Sequence, residues 1–183
     1  AMIGSAHTLQ GNYDIGLHYT QRAVGLEPGD HSSQQWLAIS LLRSGRHREA
    51  IAPLQEALRL DPHDSQMPYL CILGMLHFAA GENEKAIAAF ERDQLGGFRR
   101  GPYVYAMQAA AYAELGDESA ARALIPELNA DILALDFPLE HWLAGMLPDP
   151  QKHELTYTTL YQLGLLRPEE RAAALEDERL PGN

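Results

Sequence analysis

Four glycines, Gly11, Gly45, Gly81 and Gly116, recur at intervals of 34, 36 and 35 residues. Five positions after each stands a small residue, Gly16, Ala50, Ala86 or Ala121, at the same intervals. Two landmarks in one register define a repeat, and a repeat of this length is one supersecondary unit stacked on copies of itself. The cleanest copy is Gly45 to Pro62, GRHREAIAPLQEALRLDP, with Ala50, Leu54 and Ala57 on one helical stripe before Leu60 and a closing proline. Ala50 and Ala57 are small where a neighbouring helix must come close. Each unit therefore reads as two helices joined at its glycine. No strand pattern competes.

The first unit is incomplete at its front, with Ile3 and Gly4 on its first helix and Gly16, Thr20 and Ala23 on its second, ending at Leu26-Glu27-Pro28. An uncovered end of a repeat array exposes apolar surface, so a longer parent protein is expected. The second unit spans about His31 to Asp64, with Ser32 or Ser33 as expected N-cap and Trp36, Leu37, Leu41 and Leu42 as its first apolar stripe. The third has Ser65-Gln66 in a longer linker, then Tyr69, Leu70, Leu73, Gly74 and Leu76 on its first helix and Ala86, Ala89 and Phe90 on its second. A mid-helix glycine costs about 1 kcal/mol against alanine, so Gly74 calls for a packing reason. The stretch from Leu95 to Pro102, with three glycines, predicts a bend or loop. The fourth unit runs from Pro102 to about Asn129, and Pro126 is expected to kink or restart its second helix. Beyond it the period stops. Leu139 to Met146 reads as a short helix with Trp142 and Leu143 inward; Asp149-Pro150 starts another carrying Leu155, Tyr157, Leu160, Tyr161 and Leu163 to Gly164. Pro168-Glu169-Glu170 opens a last helix, its acids at the positive end of the dipole.

Composition narrows the function classes. The formal charge is −11, from 14 Lys and Arg against 25 Asp and Glu, so a phosphate backbone would be repelled and nucleic acid is excluded as a partner. No apolar run reaches the roughly 20 residues of a membrane helix, and no secretory pattern opens the chain, so a cytoplasmic protein without membrane contact is expected. Cys71 is the sole cysteine and has no internal disulfide partner.

Residues 3–128 resemble three and a half to four tetratricopeptide repeats (TPR), helix–turn–helix units of about 34 residues. That resemblance implies an all-α, right-handed superhelix of about four repeats over residues 1–130, with residues 131–183 as a C-terminal helical cap. It also implies that the first helices line a concave face. The groove positions would be Gln35, Ile39, Leu42 and Arg43, then Cys71, Met75, Phe78 and Ala79, then Tyr103, Ala106, Ala110, Ala113 and Glu114. These are mostly apolar or neutral, so the carboxylate clamp of chaperone-binding TPR domains is missing, and an amphipathic helix or apolar peptide is the expected occupant. Packing of the same residues against the tail or another subunit is the competing expectation. More narrowly, residues 111–166 resemble the region after the TPR array of bacterial class III adenylate/guanylate cyclase-like proteins and related winged-helix regulators. The match rests on Ala111-Tyr112-Ala113, Leu115-Gly116-Asp117, Ala121-Arg122, Phe137, Trp142 and Asp149-Pro150. Leu163-Gly164-Leu165 departs from that pattern, being followed by Leu166 and not by proline. Nothing resembles the cyclase catalytic domain.

Constellations for chemistry are lacking. Eight histidines include no HExxH pair, so no metal is expected. No GxxxxGK[ST] loop or GxSxG elbow occurs, and Cys71 has no neighbouring cation in sequence to activate it. The expected function is non-catalytic and cofactor-free: a protein-interaction module acting as scaffold, adaptor or self-association unit, cut from a larger bacterial regulator. The alternative is a stand-alone TPR chaperone or adaptor holding a client peptide in its groove. The partner is a protein or peptide, and a homo-oligomer is also open.

Overall fold

The computed structural model describes residues 1–62, 69–95, 101–135, 139–147 and 149–179. Its helices are α1 (Met2–Leu9), α2 (Tyr13–Leu26), α3 (His31–Arg43), α4 (His47–Leu60), α5 (Tyr69–Ala79), α6 (Asn83–Leu95), α7 (Pro102–Glu114), α8 (Glu118–Leu135), α9 (Leu139–Met146), α10 (Pro150–Leu163) and α11 (Pro168–Arg179). Among the described residues there is no strand. The linker at Ser65-Gln66, the glycine-rich stretch over 96–100 and Phe137 lie outside the described residues, as do the side chains of Leu95 and Trp142.

The recurring glycine has one local cause. Gly11, Gly45, Gly81 and Gly116 have φ of 82°, 73°, 78° and 84°, the left-handed region that a Cβ disfavours. Each sits just past a first helix, where its N–H and that of the next residue bond the carbonyls of the last turn. At the second hairpin these are Gly45 N to Leu42 O, 3.0 Å, and Arg46 N to Leu41 O, 2.9 Å. The third repeats them as Gly81 N to Phe78 O, 3.0 Å, and Glu82 N to His77 O, 2.8 Å. This Schellman closure satisfies carbonyls the helix end would leave unpaired. The second helix then begins at once: Ala50 N bonds Arg46 O and Ala86 N bonds Glu82 O. Both sequence landmarks thus mark one turn geometry.

The hairpins α1–α2, α3–α4, α5–α6 and α7–α8 each pack internally, and α2 on α3 and α4 on α5 join the first three. Gly74 has the packing reason its position called for. A Cβ there would stand 2.5 Å from Phe90 Cε1 and 3.0 Å from Phe90 Cγ, so α5 and α6 can meet only without it. Ala50, Ala86 and Ala121 are fully buried at the matching second-helix positions.

Three local expectations change. Asp30, not Ser32 or Ser33, caps α3: its carboxylate accepts from Ser32 N at 3.3 Å and Ser33 N at 3.0 Å. The two serines lie inside the first turn as donors, and the Ser33 hydroxyl also donates to Asp30. Of the two outcomes expected at Pro126, a kink or a restart, a restart does not occur, for α8 runs from Glu118 to Leu135 with the proline inside. Pro126 is exposed, so the carbonyl it deprives of a partner can turn to water. Leu155, placed on the apolar face of α10, is exposed, whereas Tyr157, Leu160 and Leu163 are buried.

The chain divides into two compact units: Ala1–Phe98 with Gly145–Pro148, and Arg99–Ala144 with Asp149–Asn183. The position at 130/131, expected to part array from cap, lies within α8. Within the first unit Leu54, Leu76, Phe78 and Phe90 form the core. Met146 and Leu147 are buried and belong to this unit, although the sequence assigns them to the tail. In the second unit Val104, Met107, Leu128, Ile132, Leu143 and Leu160 are buried, and α10 packs on α7 and α8. Arg122 donates to the Leu163 carbonyl at 3.2 Å. Asn129 donates to the Gly164 carbonyl and accepts from Leu166 N, each at 3.0 Å.

Candidate interaction surfaces

The concave-face positions are largely packed. On α3, Gln35 and Leu42 are buried, Ile39 is half-buried and Arg43 is exposed. On α5, Cys71 and Met75 are buried and Phe78 has no accessible surface. On α7, Ala106 and Ala110 are buried and Tyr103 half-buried, while Glu114 takes both carboxylate oxygens to Lys152 Nζ of α10, at 2.6 and 2.7 Å. Met75 and Phe78, expected either to line a partner groove or to pack within the protein or on another subunit, are thus buried in this conformation. The cause is visible in α5, where every residue from Cys71 to Phe78 is buried. A helix that is apolar all round is enclosed on all sides, whereas a groove-lining helix keeps a polar face. The run Cys71-Ile72-Leu73-Gly74-Met75-Leu76 carried that signal.

The open apolar surface lies instead on the first hairpin. Met2, Leu9 and Leu26 are 86%, 74% and 74% exposed, and Ile3, Tyr13 and Ile15 are exposed as well. Only two other large hydrophobic residues among those described, Leu115 and Leu155, are exposed. Against these six, the hairpin buries one large hydrophobe, Leu17. What holds it is small and polar. A Cβ on Gly16 would meet Thr8 Oγ1 at 2.2 Å, so α1 and α2 approach nearly backbone to backbone. Thr8 Oγ1 and Ser40 Oγ share a buried hydrogen bond of 2.8 Å that ties α1 to α3. A Cβ on Gly4 would likewise meet Thr20 Cγ2 at 2.6 Å. Beside this face a cleft of about 610 Å³ is lined by Met2, Ile3, Tyr19, Arg22 and Leu26, with Asp30 at its edge.

Charges in the first unit are mostly local pairs. His77 Nδ1 lies 2.6 Å from Glu82 Oε2, and that hydrogen bond holds the Glu82 carboxyl below its usual range. Asp30 is lowered chiefly by the Ser33 hydroxyl. In the second unit burial, with Glu140 nearby, pushes the Tyr157 phenol upward. Among the described residues no three His, Cys, Asp or Glu side chains converge as metal ligands would. Among the same residues no helix is long and apolar enough to cross a membrane.

The family model for anaphase-promoting complex, cyclosome, subunit 3 matches residues 9–93, from the end of α1 into α6. A comparison with curated proteins gave no match. A crystal structure of MamA protein aligns over 99% of this chain and 94% of its own, at 16% identity and a TM-score of 0.64. A second MamA structure covers 94% and 97%, at 17% identity and a TM-score of 0.63. A thermophilic TPR protein from Thermus thermophilus covers 88% and 96% at 17% identity, with a TM-score of 0.42 too low to carry an argument. At such identities the MamA likeness is one of fold alone. With its hairpins, turn glycines and period, the chain has an all-α repeat fold of the tetratricopeptide type.

Proposed function

We propose that the chain is a non-catalytic scaffold that makes protein–protein contacts through the apolar face of its first hairpin, joining copies of itself. The observation that carries this is the inversion of that hairpin, which exposes six large hydrophobic residues and buries only Leu17. Met2, Ile3 and Leu26 meet at one cleft of the hairpin, and a cluster of exposed apolar side chains marks interaction sites in soluble proteins. TPR-type folds supply a rigid series of helices for such contacts, while the fold itself names no partner. The likeness of residues 111–166 to the region following TPR arrays in cyclase-like regulators supports a place in a multidomain bacterial regulator. No cyclase chemistry is part of the proposal.

Sedimentation velocity over a hundredfold concentration range tests it. The wild type should sediment faster as concentration rises, and Ile3→Glu/Leu26→Glu should remain a monomer with an unchanged helical spectrum. Both side chains are exposed, so the substitutions leave the interior of the hairpin intact. A wild type that stays monomeric throughout, or a double variant that associates equally well, would refute self-association through this face.

A further inference from the structure

A groove of about 580 Å³ runs between α4 and α6 in the first unit, with α5 beneath it. It is separate from the first hairpin, and the inference does not depend on the self-association proposed above. From α4 come Arg48, Ile51 and Gln55; from α6 come Lys85, Ala88 and Arg92. Within each helix these positions fall at i, i+3 and i+7, one face of a helix, so two stripes look into one channel. The floor is Leu73 and His77 of α5, both buried.

The electrostatics run against the rest of the molecule. The chain carries a net charge of −11, yet Arg48, Lys85 and Arg92 stand exposed along the two rims. Among the described residues the one carboxylate lining the groove, Glu82, is engaged by His77 at 2.6 Å and Lys85 at 3.3 Å. Arg48 reaches across from α4 to the Ala80 carbonyl, 3.4 Å away, a long contact that leaves most of its donors unused. Arg48 and Arg92 form no ion pair among the described residues. Cations set along two ridges over a floor of Leu73 and His77 do not converge on a point, as an isolated phosphate would need. Nor do they make the continuous basic track that a nucleic acid needs.

We propose that this groove docks an acidic amphipathic peptide segment of a partner protein, its apolar side chains on Ile51, Leu73 and Ala88 and its carboxylates at Arg48, Lys85 and Arg92. A helix laid in a groove reads in this way, through apolar anchors at helical spacing flanked by complementary charge.

The test is fluorescence anisotropy with a labelled peptide of about 14 residues, leucine at helical i, i+3, i+4 and i+7 positions and glutamate elsewhere. The same peptide with lysine for glutamate is the control. Saturable binding of the glutamate peptide is expected, weakened about tenfold or more in Arg48→Glu/Lys85→Glu/Arg92→Glu and markedly weakened by raising salt, as screening requires. The lysine peptide should not bind. All three substituted residues are exposed, and an unchanged helical spectrum confirms that the variant folds. Ala88→Trp, which fills the groove without altering its charge, should block the peptide as well. No saturable binding of the glutamate peptide, equal binding of the lysine peptide, or full binding by the triple variant would each overturn the proposal. A wild-type dimer that the triple variant abolishes would put a second copy in the groove and overturn it too.

Discussion

Gly74→Ala offers a test in which two known effects oppose each other and the structure says which wins. Alanine is the better helix former, and in an open helix the exchange stabilises by up to about 1 kcal/mol. At Gly74 the new methyl would stand 2.5 Å from Phe90 Cε1, 2.6 Å from Cδ1 and 3.0 Å from Cγ. The ring cannot step aside cheaply, because Phe90 is fully buried and moving Cγ would swing the whole ring into its packed neighbours. Overpacking a tight core costs about 1–3 kcal/mol, so the net expectation is a loss of about 1–2 kcal/mol. Gly25, near the end of α2, supplies the control, since nothing lies within 4 Å of a Cβ built there. Urea unfolding followed by helical circular dichroism should give a lower midpoint for Gly74→Ala and a higher one for Gly25→Ala, with equal slopes. In a Phe90→Leu background much of the penalty at Gly74 should vanish, a coupling that a double-mutant cycle measures. If Gly74→Ala raised the midpoint as Gly25→Ala does, the close meeting of α5 and α6 would be refuted.

Three further outcomes follow from separate features. Gly81→Ala should cost about 1–2 kcal/mol in the same assay, because φ of 78° puts a Cβ against the following carbonyl. Asp30→Ala should cost about 1 kcal/mol at neutral pH through loss of the α3 cap. Since the folded state lowers the Asp30 carboxyl, its charge-dependent contribution is present above the unfolded value of about 3.9. It is lost as pH falls through the lower folded value, so the stability gap between wild type and Asp30→Asn should change only in that acid window. Asn129→Ala removes the side chain that joins Gly164 O and Leu166 N to α8, and a loss of about 1–3 kcal/mol in unfolding free energy is expected.

What the sequence disclosed was what local chemistry decides. The turn glycines were legible because a left-handed residue after a helix is a requirement of a few consecutive residues. Gly74 was legible as an anomaly, and only the structure names Phe90 as its cause. Asp30 competes as a cap with Ser32 and Ser33, and the signal that separates them is the turn Pro28-Gly29-Asp30 leading into His31. The burial of the concave-face positions was illegible for a different reason. Repeat register assigns Met75 and Phe78 to a face of α5, but whether that face meets solvent depends on residues distant in sequence, which periodicity does not report. The groove between α4 and α6 shows the same limit, since Arg48 and Arg92 are ordinary surface charges until two helices bring their stripes together.

The first hairpin unites two properties that are usually kept apart. It carries most of the exposed large hydrophobic residues among those described, and it is attached by glycine contacts and hydroxyls such as Thr8 and Ser40 rather than by a buried apolar core. In a linear array each unit draws its stability from its own contacts and its neighbours', so α1 and α2 should open at far lower free energy than α5 and α6. Docking at this face and the order of the hairpin then become one equilibrium. A partner that requires the closed hairpin, present at 100 times its dissociation constant, would stabilise it by about 2.7 kcal/mol. Amides of α1 and α2 should exchange with solvent fastest in dilute protein and slow as association proceeds, while those of α5 stay unchanged. Exchange in α1 and α2 that ignored protein concentration would separate the two properties and leave the hairpin's looseness without a role in binding.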